Sequence, residues 1–253
     1  MYPPERQQLI LTTARTAGRV EVQQLAAELD VTAETVRRDL TALERLGLVR
    51  RVHGGAVPVE RLGYEPALPQ REQVLTAEKE RIAKAALDEL PAGGSVLIDA
   101  GTTTVRFAEL LPADRELIVV THALPVAMAL APLPSVTLHL LGGTVRRRTL
   151  AAVGTWAVRA LADVRVDVAF LGTNGLTVED GLTTPDLAEA AVKRAFVTAA
   201  ARTVVLADRT KVGRAELARV APLAAVDAVV TDSGIEPELA DEIETAGPRV
   251  VRA

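Results

Sequence analysis

The sequence predicts two modules of different class: a small α+β module over residues 1–58 and an α/β domain with a mostly parallel sheet over 77–253, joined by a linker at 59–76. Three observations carry that prediction. Near the N-terminus, apolar residues recur at helical spacing in two short stretches, and a basic hairpin follows. From residue 77 onward, short β-branched runs alternate with alanine-rich amphipathic ones. The length of 253 residues exceeds one typical domain and leaves room for a second core.

In the first module Val22, Leu25, Ala26 and Leu29 share a helical face, and Asp30-Val31 breaks the pattern before Thr32, a residue suited to capping a second helix. On that helix Val36, Leu40 and Leu43 point one way. Glu34, Thr35, Arg38, Thr41 and Arg45 therefore point the other way, with Arg37 on the flank. Gly47 is expected to end the helix, and LVRRVHGGAVP to form a strand, a Gly54-Gly55 turn and a strand carrying Arg50, Arg51 and His53. Between Arg37 and Arg51 five arginines face only Asp39 and Glu44, inside a chain whose net charge is −4. A local cationic face on a helix-turn-helix with a wing is the electrostatic footprint of DNA binding. Thr32, Thr35, Arg37, Arg38 and Thr41 are placed to meet base edges and phosphates, and Arg50, Arg51, His53 and Gly54 to meet the backbone or minor groove.

Composition excludes several classes. There is no cysteine, hence no disulfide framework and no thiolate chemistry, and the three scattered histidines His53, His122 and His139 form no metal-binding spacing. No metal or cofactor is expected. MYPPERQQLI lacks an apolar signal region, so the expected compartment is the cytoplasm. Residues 117–145 carry no Asp, Glu, Lys or Arg, yet prolines, two histidines and Gly142-Gly143 divide them into strand, helix and strand rather than a membrane span.

In the second module helices are expected at 77–90, about 103–111, 124–130, 156–162, 186–201 and 237–245. The intervening strands are VLID, LIVV, VTLHLL, VDVAFLG, TVVLAD and AVDAVVT. Ligands of such sheets bind beyond the carboxyl ends of the strands. There stand Asp99, Gly101, Thr102, Thr103 and Thr104, then Gly142 and Gly143 with Arg147 close behind, then Gly172 and Asn174, then Asp208 and Lys211. Backbone N–H groups and hydroxyls opening a helix favour an anion, and a lysine ammonium suits a phosphate or sugar oxygen. Each piece also has a plainer reading: Gly-Thr after a strand as a helix cap, Arg146-Arg147-Arg148 as a solvated loop, Glu189 with Lys193 as a helix-face ion pair.

The N-terminal stretch with its TVRRDL and RVHGGA segments resembles the winged helix-turn-helix of the DeoR family of bacterial repressors. DAGTTT, GGTVRRRTLAAVG, VDVAFLGTNGL, GLTTPDLAEAAVKRA and VLADRTKVG are similar, in order, to that family's sensor motifs. The resemblance implies a sugar-phosphate isomerase-like fold that senses a phosphorylated sugar, with the GTTT loop on the phosphate and Lys211, together with Glu189 and the residues above, around the ligand. His122, which the resemblance also places at the ligand, stands where the family commonly has Asn, and Arg209-Thr210 where it has Ser-Ser. Within the family the chain is most similar to fructose-operon repressors of high-GC bacteria, which implies fructose 1-phosphate as effector. The expected function is a repressor of a sugar-utilisation operon, acting as a homodimer or homotetramer because one helix-turn-helix buries too little surface for tight operator binding. The alternative is an isomerase-type enzyme carrying a DNA-binding module, with Asp99, Asp180, Glu189 and Asp208 as available carboxylates and Lys211 as a cation. No catalytic residue is assigned.

Overall fold

Apolar periodicity builds the first unit around one small core. In the computed structural model, which describes residues 2–46, 48–58, 65 and 67–253 apart from the side chains of residues 15 and 16, this unit contains α1 (Pro3–Ala17), β1 (Val20–Glu21), α2 (Val22–Glu28), α3 (Ala33–Arg45), β2 (Val49–Val52) and β3 (Gly55–Pro58). Ile10, Val22, Leu25, Val36, Leu40 and Val49 are buried together, as the helical spacing requires. Thr32 caps α3 by accepting a hydrogen bond from the Thr35 N–H at 3.2 Å. Asp39 lies on the buried side of α3, where it accepts from Arg6 Nε at 2.5 Å and Gln7 Nε2 at 2.9 Å and so ties α1 to α3. The strands pair antiparallel in the order β1-β3-β2.

The hairpin turn falls one residue earlier than expected, at His53-Gly54. Gly54 has φ +77°, a left-handed conformation glycine adopts freely. Gly55 already belongs to β3, and a Cβ there would lie 1.9 Å from the Val20 carbonyl oxygen of the paired strand. The expected helix terminator Gly47 lies outside the described residues.

The chain divides into two compact units, Met1–Leu62 and Gly63–Ala253. Of the stretch expected to be linker, residues 59–64 and 66 lie outside the described set. Leu68–Glu72 forms α4, Thr76 opens α5 (Thr76–Ala85), and Glu65 is buried within the second unit.

In the second unit strands and helices alternate. They run β4 (Gly94–Ile98), α6 (Thr102–Glu109), β5 (Leu117–Thr121), α7 (Leu124–Leu130), β6 (Val136–Leu140), β7 (Thr144–Arg146), β8 (Ala151–Val153), α8 (Thr155–Ala162), β9 (Val166–Gly172), β10 (Gly175–Thr177) and β11 (Gly181–Thr184). They continue with α9 (Leu187–Ala199), β12 (Ala200–Leu206), β13 (Ala218–Ala221), β14 (Ala228–Thr231), α10 (Pro237–Thr245) and β15 (Arg249–Arg252). Seven parallel strands form the main sheet in the order β15-β14-β12-β9-β4-β5-β6. Helices cover both of its faces, as buried β-branched strands demand. One core layer joins Ile82, Val96, Ile98, Phe107, Phe170 and Val126, and another joins Leu97, Val120, Leu171, Leu161, Val192 and Phe196. The uncharged stretch 117–145 is indeed β5, α7 and β6, and no described helix is long and apolar enough to cross a membrane.

Two additions were not legible in the periodicity. GGTVRRRTLAAVG folds back as the β7-β8 hairpin, and β10, β11 and β13 make a small antiparallel sheet against α9. The strand order reverses between β4 and β9, so a topological switch point opens there at the carboxyl edge.

Candidate DNA interface and effector site

On α3 the apolar stripe faces inward, which leaves Arg37, Arg38 and Arg45 exposed and Thr32, Thr35 and Thr41 at or near the surface. Arg37 pairs loosely with Glu34 at 3.6 Å. Arg38, Arg45 and Arg50 make no ion pair among the described residues. Arg51 behaves differently from its neighbour: its guanidinium turns back onto α3, donating to Arg37 O at 3.3 Å and Thr41 Oγ1 at 3.2 Å. Its N–H donates to Glu44 at 2.9 Å. It therefore fixes the wing to the helix, while Arg50, His53 and Gly54 are exposed on the hairpin.

At the carboxyl edge of the main sheet, Asp99 follows β4 and is wholly buried. Its Oδ1 meets His122 Nε2 at 2.9 Å; its Oδ2 accepts the Gly172 N–H at 2.9 Å and the ammonium of Lys193 from α9. Lys193 also donates to Gly172 O at 2.8 Å, and His122 Nδ1 meets Ala152 O at 2.8 Å. Burial alone raises a carboxylate's pKa, but Lys193 and His122 outweigh it and hold Asp99 at about 2. The charge at the switch point is thus internally satisfied, and it locks the β4, β5 and β9 loops to α9.

Above it, the GTTT loop opens α6. Thr104 Oγ1 donates to Gly101 O at 3.0 Å, while the hydroxyls of Thr102 and Thr103, both buried, make no hydrogen bond among the described residues. The donors at this helix start are uncommitted, which is what an anion site requires.

Two more charged groups sit nearby. Asp208 caps the short 3-10 turn Arg209–Lys211 through the Thr210 N–H at 3.0 Å. Burial opposes ionisation there, but Lys211, Thr210 and Lys79 draw the Asp208 pKa down. Lys79, on α5, is buried and donates to Arg71 O. Desolvation lowers it to about 8, with Asp208 opposing and Lys211, Arg71 and Arg106 adding like-charge repulsion. Lys211 is lowered too, first by burial and then by Arg71 and Arg214, against the attraction of Asp208. Lys211 forms no ion pair within 4 Å among the described residues. Arg209 turns away to Asp232 at 2.6 Å.

The third group centres on Glu65, 2 % exposed. Arg71 and Arg146 each reach its carboxylate at 2.9 Å, Asn174 Nδ2 donates to it at 3.2 Å, and Arg148 donates to its backbone carbonyl. Arg146 also holds Glu189 at 2.7 Å. Burial works against that guanidinium's charge, but Glu189 and Glu65 more than compensate and raise its pKa.

Several sequence-predicted positions sit otherwise than their spacing suggested. Glu189 pairs with Arg146 and Thr149, not with Lys193, because Lys193 reaches the buried Asp99 instead. Of the three successive arginines in the β7-β8 hairpin, Arg147 is exposed without a hydrogen bond among the described residues, Arg146 is half-buried against Glu65, and Arg148, though exposed, donates to the Glu65 carbonyl. Gly143 packs on β8, where a Cβ would lie 2.6 Å from Val153 O, and Gly142 is exposed. Gly172, the last residue of β9, donates to Asp99, and Asn174, just beyond it, donates to Glu65. Sequence reasoning passed over Glu65, Arg71 and Lys79, and read Arg146 with its neighbours as a solvated loop and Lys193 as a helix-face partner of Glu189. Scarcity of lysine was a usable signal, since Lys79 and Lys193 are two of the chain's four lysines.

Comparisons with known proteins agree with this two-part construction. Residues 6–61 match the model of the DeoR-like helix-turn-helix domain, and residues 75–233 that of the DeoR C-terminal sensor domain. The chain is 40% identical over 251 residues to the HTH-type transcriptional regulator GlpR of Haloferax volcanii, covering 99% of this chain and 98% of that one. It is 34% identical over 233 residues to an uncharacterized HTH-type transcriptional regulator FruR of Bacillus subtilis, covering 92% of each. It is 30% identical over 233 residues to the glycerol-3-phosphate regulon repressor of Escherichia coli K12, again covering 92% of each. With an exposed cationic recognition helix at one end and a sensor domain at the other, the chain belongs to the DeoR family, and it is a transcriptional regulator rather than an enzyme.

Proposed function

We propose that the protein represses a sugar-utilisation operon as a homodimer or homotetramer and leaves its operator when a phosphorylated sugar enters the sheet-edge site. The observation that carries this reading is the cationic excess at that edge. Lys79 and Lys211 are both held below the ordinary lysine range with Asp208 as their common counter-charge. A bound phosphate would relieve that excess and accept from the Thr102 and Thr103 hydroxyls at the start of α6. Asp99, by contrast, is consumed by Lys193 and His122, which suits a frame better than a proton-abstracting base. A relative described as a regulon repressor favours repression, and the resemblance of the sequence to fructose-operon repressors makes fructose 1-phosphate the first effector to try.

Calorimetry with fructose 1-phosphate, fructose 6-phosphate and unphosphorylated fructose, each with and without operator DNA, tests it. The effector should bind more weakly to the operator complex by the same factor that it weakens operator binding. Equal binding of phosphorylated and unphosphorylated sugar defeats the phosphate reading; preference for another sugar phosphate removes only the fructose assignment.

A further inference from the structure

Glu65 is a charged residue buried inside the sensor domain. It follows β3, the last strand of the DNA-binding unit, by a few residues, yet it is buried in the second unit and engaged by groups from three separate elements: Arg71 on α4, Arg146 on β7 and Asn174 after β9. Arg148 holds its backbone as well. A carboxylate so placed is what an anionic ligand would look like to these side chains: two guanidinium groups, one amide donor, little water. Its partners are also shared with the proposed effector site. Arg71 contributes its guanidinium to Glu65 and its carbonyl to Lys79, and its charge is felt by both Lys79 and Lys211. Arg146 divides itself between Glu65 and Glu189.

We propose that Glu65 is a built-in anionic ligand of the sensor cleft, and that the phosphate of the effector competes with it for Arg71 and Arg146 and thereby releases the segment leading to the DNA-binding unit. This rests on the sugar-phosphate reading above and adds the mechanism by which the site is read out. A dianion arriving beside Lys79 and Lys211 draws Arg71 toward itself. Glu65, burying a charge that two arginines neutralise, cannot remain in place once one of them is withdrawn, because an undercompensated carboxylate in that setting is costly. The chain before α4 then loses its anchor. A ligand can shift such an equilibrium only by binding the two states unequally, and direct competition for the same guanidinium groups supplies the inequality.

The test uses the full-length protein, wild type and Glu65→Gln, with fructose 1-phosphate and inorganic phosphate as probes. Gln keeps the shape and removes the charge, so the variant should bind both probes about tenfold tighter, since the competing state no longer reduces apparent affinity. Ligand-free, it should also hold operator DNA as weakly as effector-saturated wild type. Removing a negative charge would tighten an anion even without displacement, so a second readout decides. Amide exchange over residues 67–74 of the wild-type protein should accelerate when fructose 1-phosphate is added. A residue with only a structural role would give the opposite pattern, weaker probe binding in Glu65→Gln and slower exchange on ligation, and either result overturns the proposal. Should Glu65→Gln fail to fold, the exchange measurement on wild type stands alone. If wild type binds fructose 1-phosphate and releases DNA while exchange over 67–74 is unchanged, the competition is refuted and the regulator reading survives. If neither these probes nor any other phosphorylated sugar binds either variant, both fall.

Discussion

On α3 and the wing, Arg38, Arg45 and Arg50 are exposed and unpaired among the described residues, whereas at the sensor edge Arg71, Arg146 and Lys193 are each joined to a buried carboxylate. The first arrangement leaves charge available to an outside polyanion at no cost in broken contacts, so affinity should follow counterion release. An anion entering the second would have to take the place of an internal partner, so binding there would be tied to rearrangement. On the proposed reading one region holds DNA and the other changes state.

The largest effect is expected at Asp99. Asp99→Asn removes the counter-charge of a buried lysine and should destabilise the protein by about 3 to 5 kcal/mol, measured by denaturant unfolding, with Lys193→Met in the same chain recovering part of the loss. Because the folded pKa is depressed to about 2 from 3.8, its contribution is complete above pH 3.8 and disappears as pH falls toward 2. A loss below 1 kcal/mol at pH 7 would mean that the frame is not held by this charge.

The DNA face should respond without any such penalty to folding. Arg38→Ala is expected to cost about 1 to 3 kcal/mol of operator binding and relax sequence preference, with unfolding unchanged. Arg50→Ala should weaken all DNA alike and reduce the salt slope by about 1. Arg51→Ala, which also severs the tie from wing to α3, should lose stability as well; operator titrations at several salt concentrations beside thermal melts separate the three. Equal melting of the Arg50 and Arg51 variants would contradict the anchoring role.

At Lys79 function and stability should pull apart. With its folded pKa lowered to about 8 from 10.5, the unfolded chain binds more protons between those values, so wild-type stability rises with pH across that window; Lys79→Met should reduce the rise and leave the share that Lys211, lowered as well, contributes. The same variant should bind fructose 1-phosphate about tenfold more weakly at pH 7, and wild-type affinity should fall as pH passes 8. An effector affinity flat across that range would exclude Lys79 from the phosphate site.

The smallest effect is expected at Thr103→Val, about 0.5 to 1.5 kcal/mol of effector affinity for one lost hydroxyl, with operator affinity of the ligand-free protein unchanged. Calorimetry resolves it, and an operator defect would place Thr103 in the fold's support instead.

How much of each region was legible follows from the range of its contacts. Val36, Leu40 and Leu43 spaced along one helix were enough to say which way Arg38 points, because helical geometry connects neighbours in sequence. The wing turn was misplaced by one residue because two adjacent glycines offer the same local freedom, and only the approach of Val20 distinguishes them. In the sensor domain the strand-helix alternation and the GTTT and Asp208-Lys211 loops could be read from the chain, since burial of a parallel sheet leaves a local pattern. Which carboxylate meets which cation could not. Glu189 and Lys193 have the spacing of a helix pair, yet the fold sends one to Arg146 and the other to Asp99, 94 positions away.

The order of modules, the outward face of α3 and the alternation of strands and helices follow from periodicity within a few residues of chain. Long-range packing alone sets the pairing of Asp99 with Lys193 and His122, the reach of Arg146 rather than Arg147 to buried carboxylates, and the burial of Glu65 among arginines. Those outcomes are settled by which buried charges come within reach of one another. Desolvation makes an unpaired charge costly, so once the sheet and α9 bring these groups together, distant residues must satisfy each other whatever their spacing along the chain.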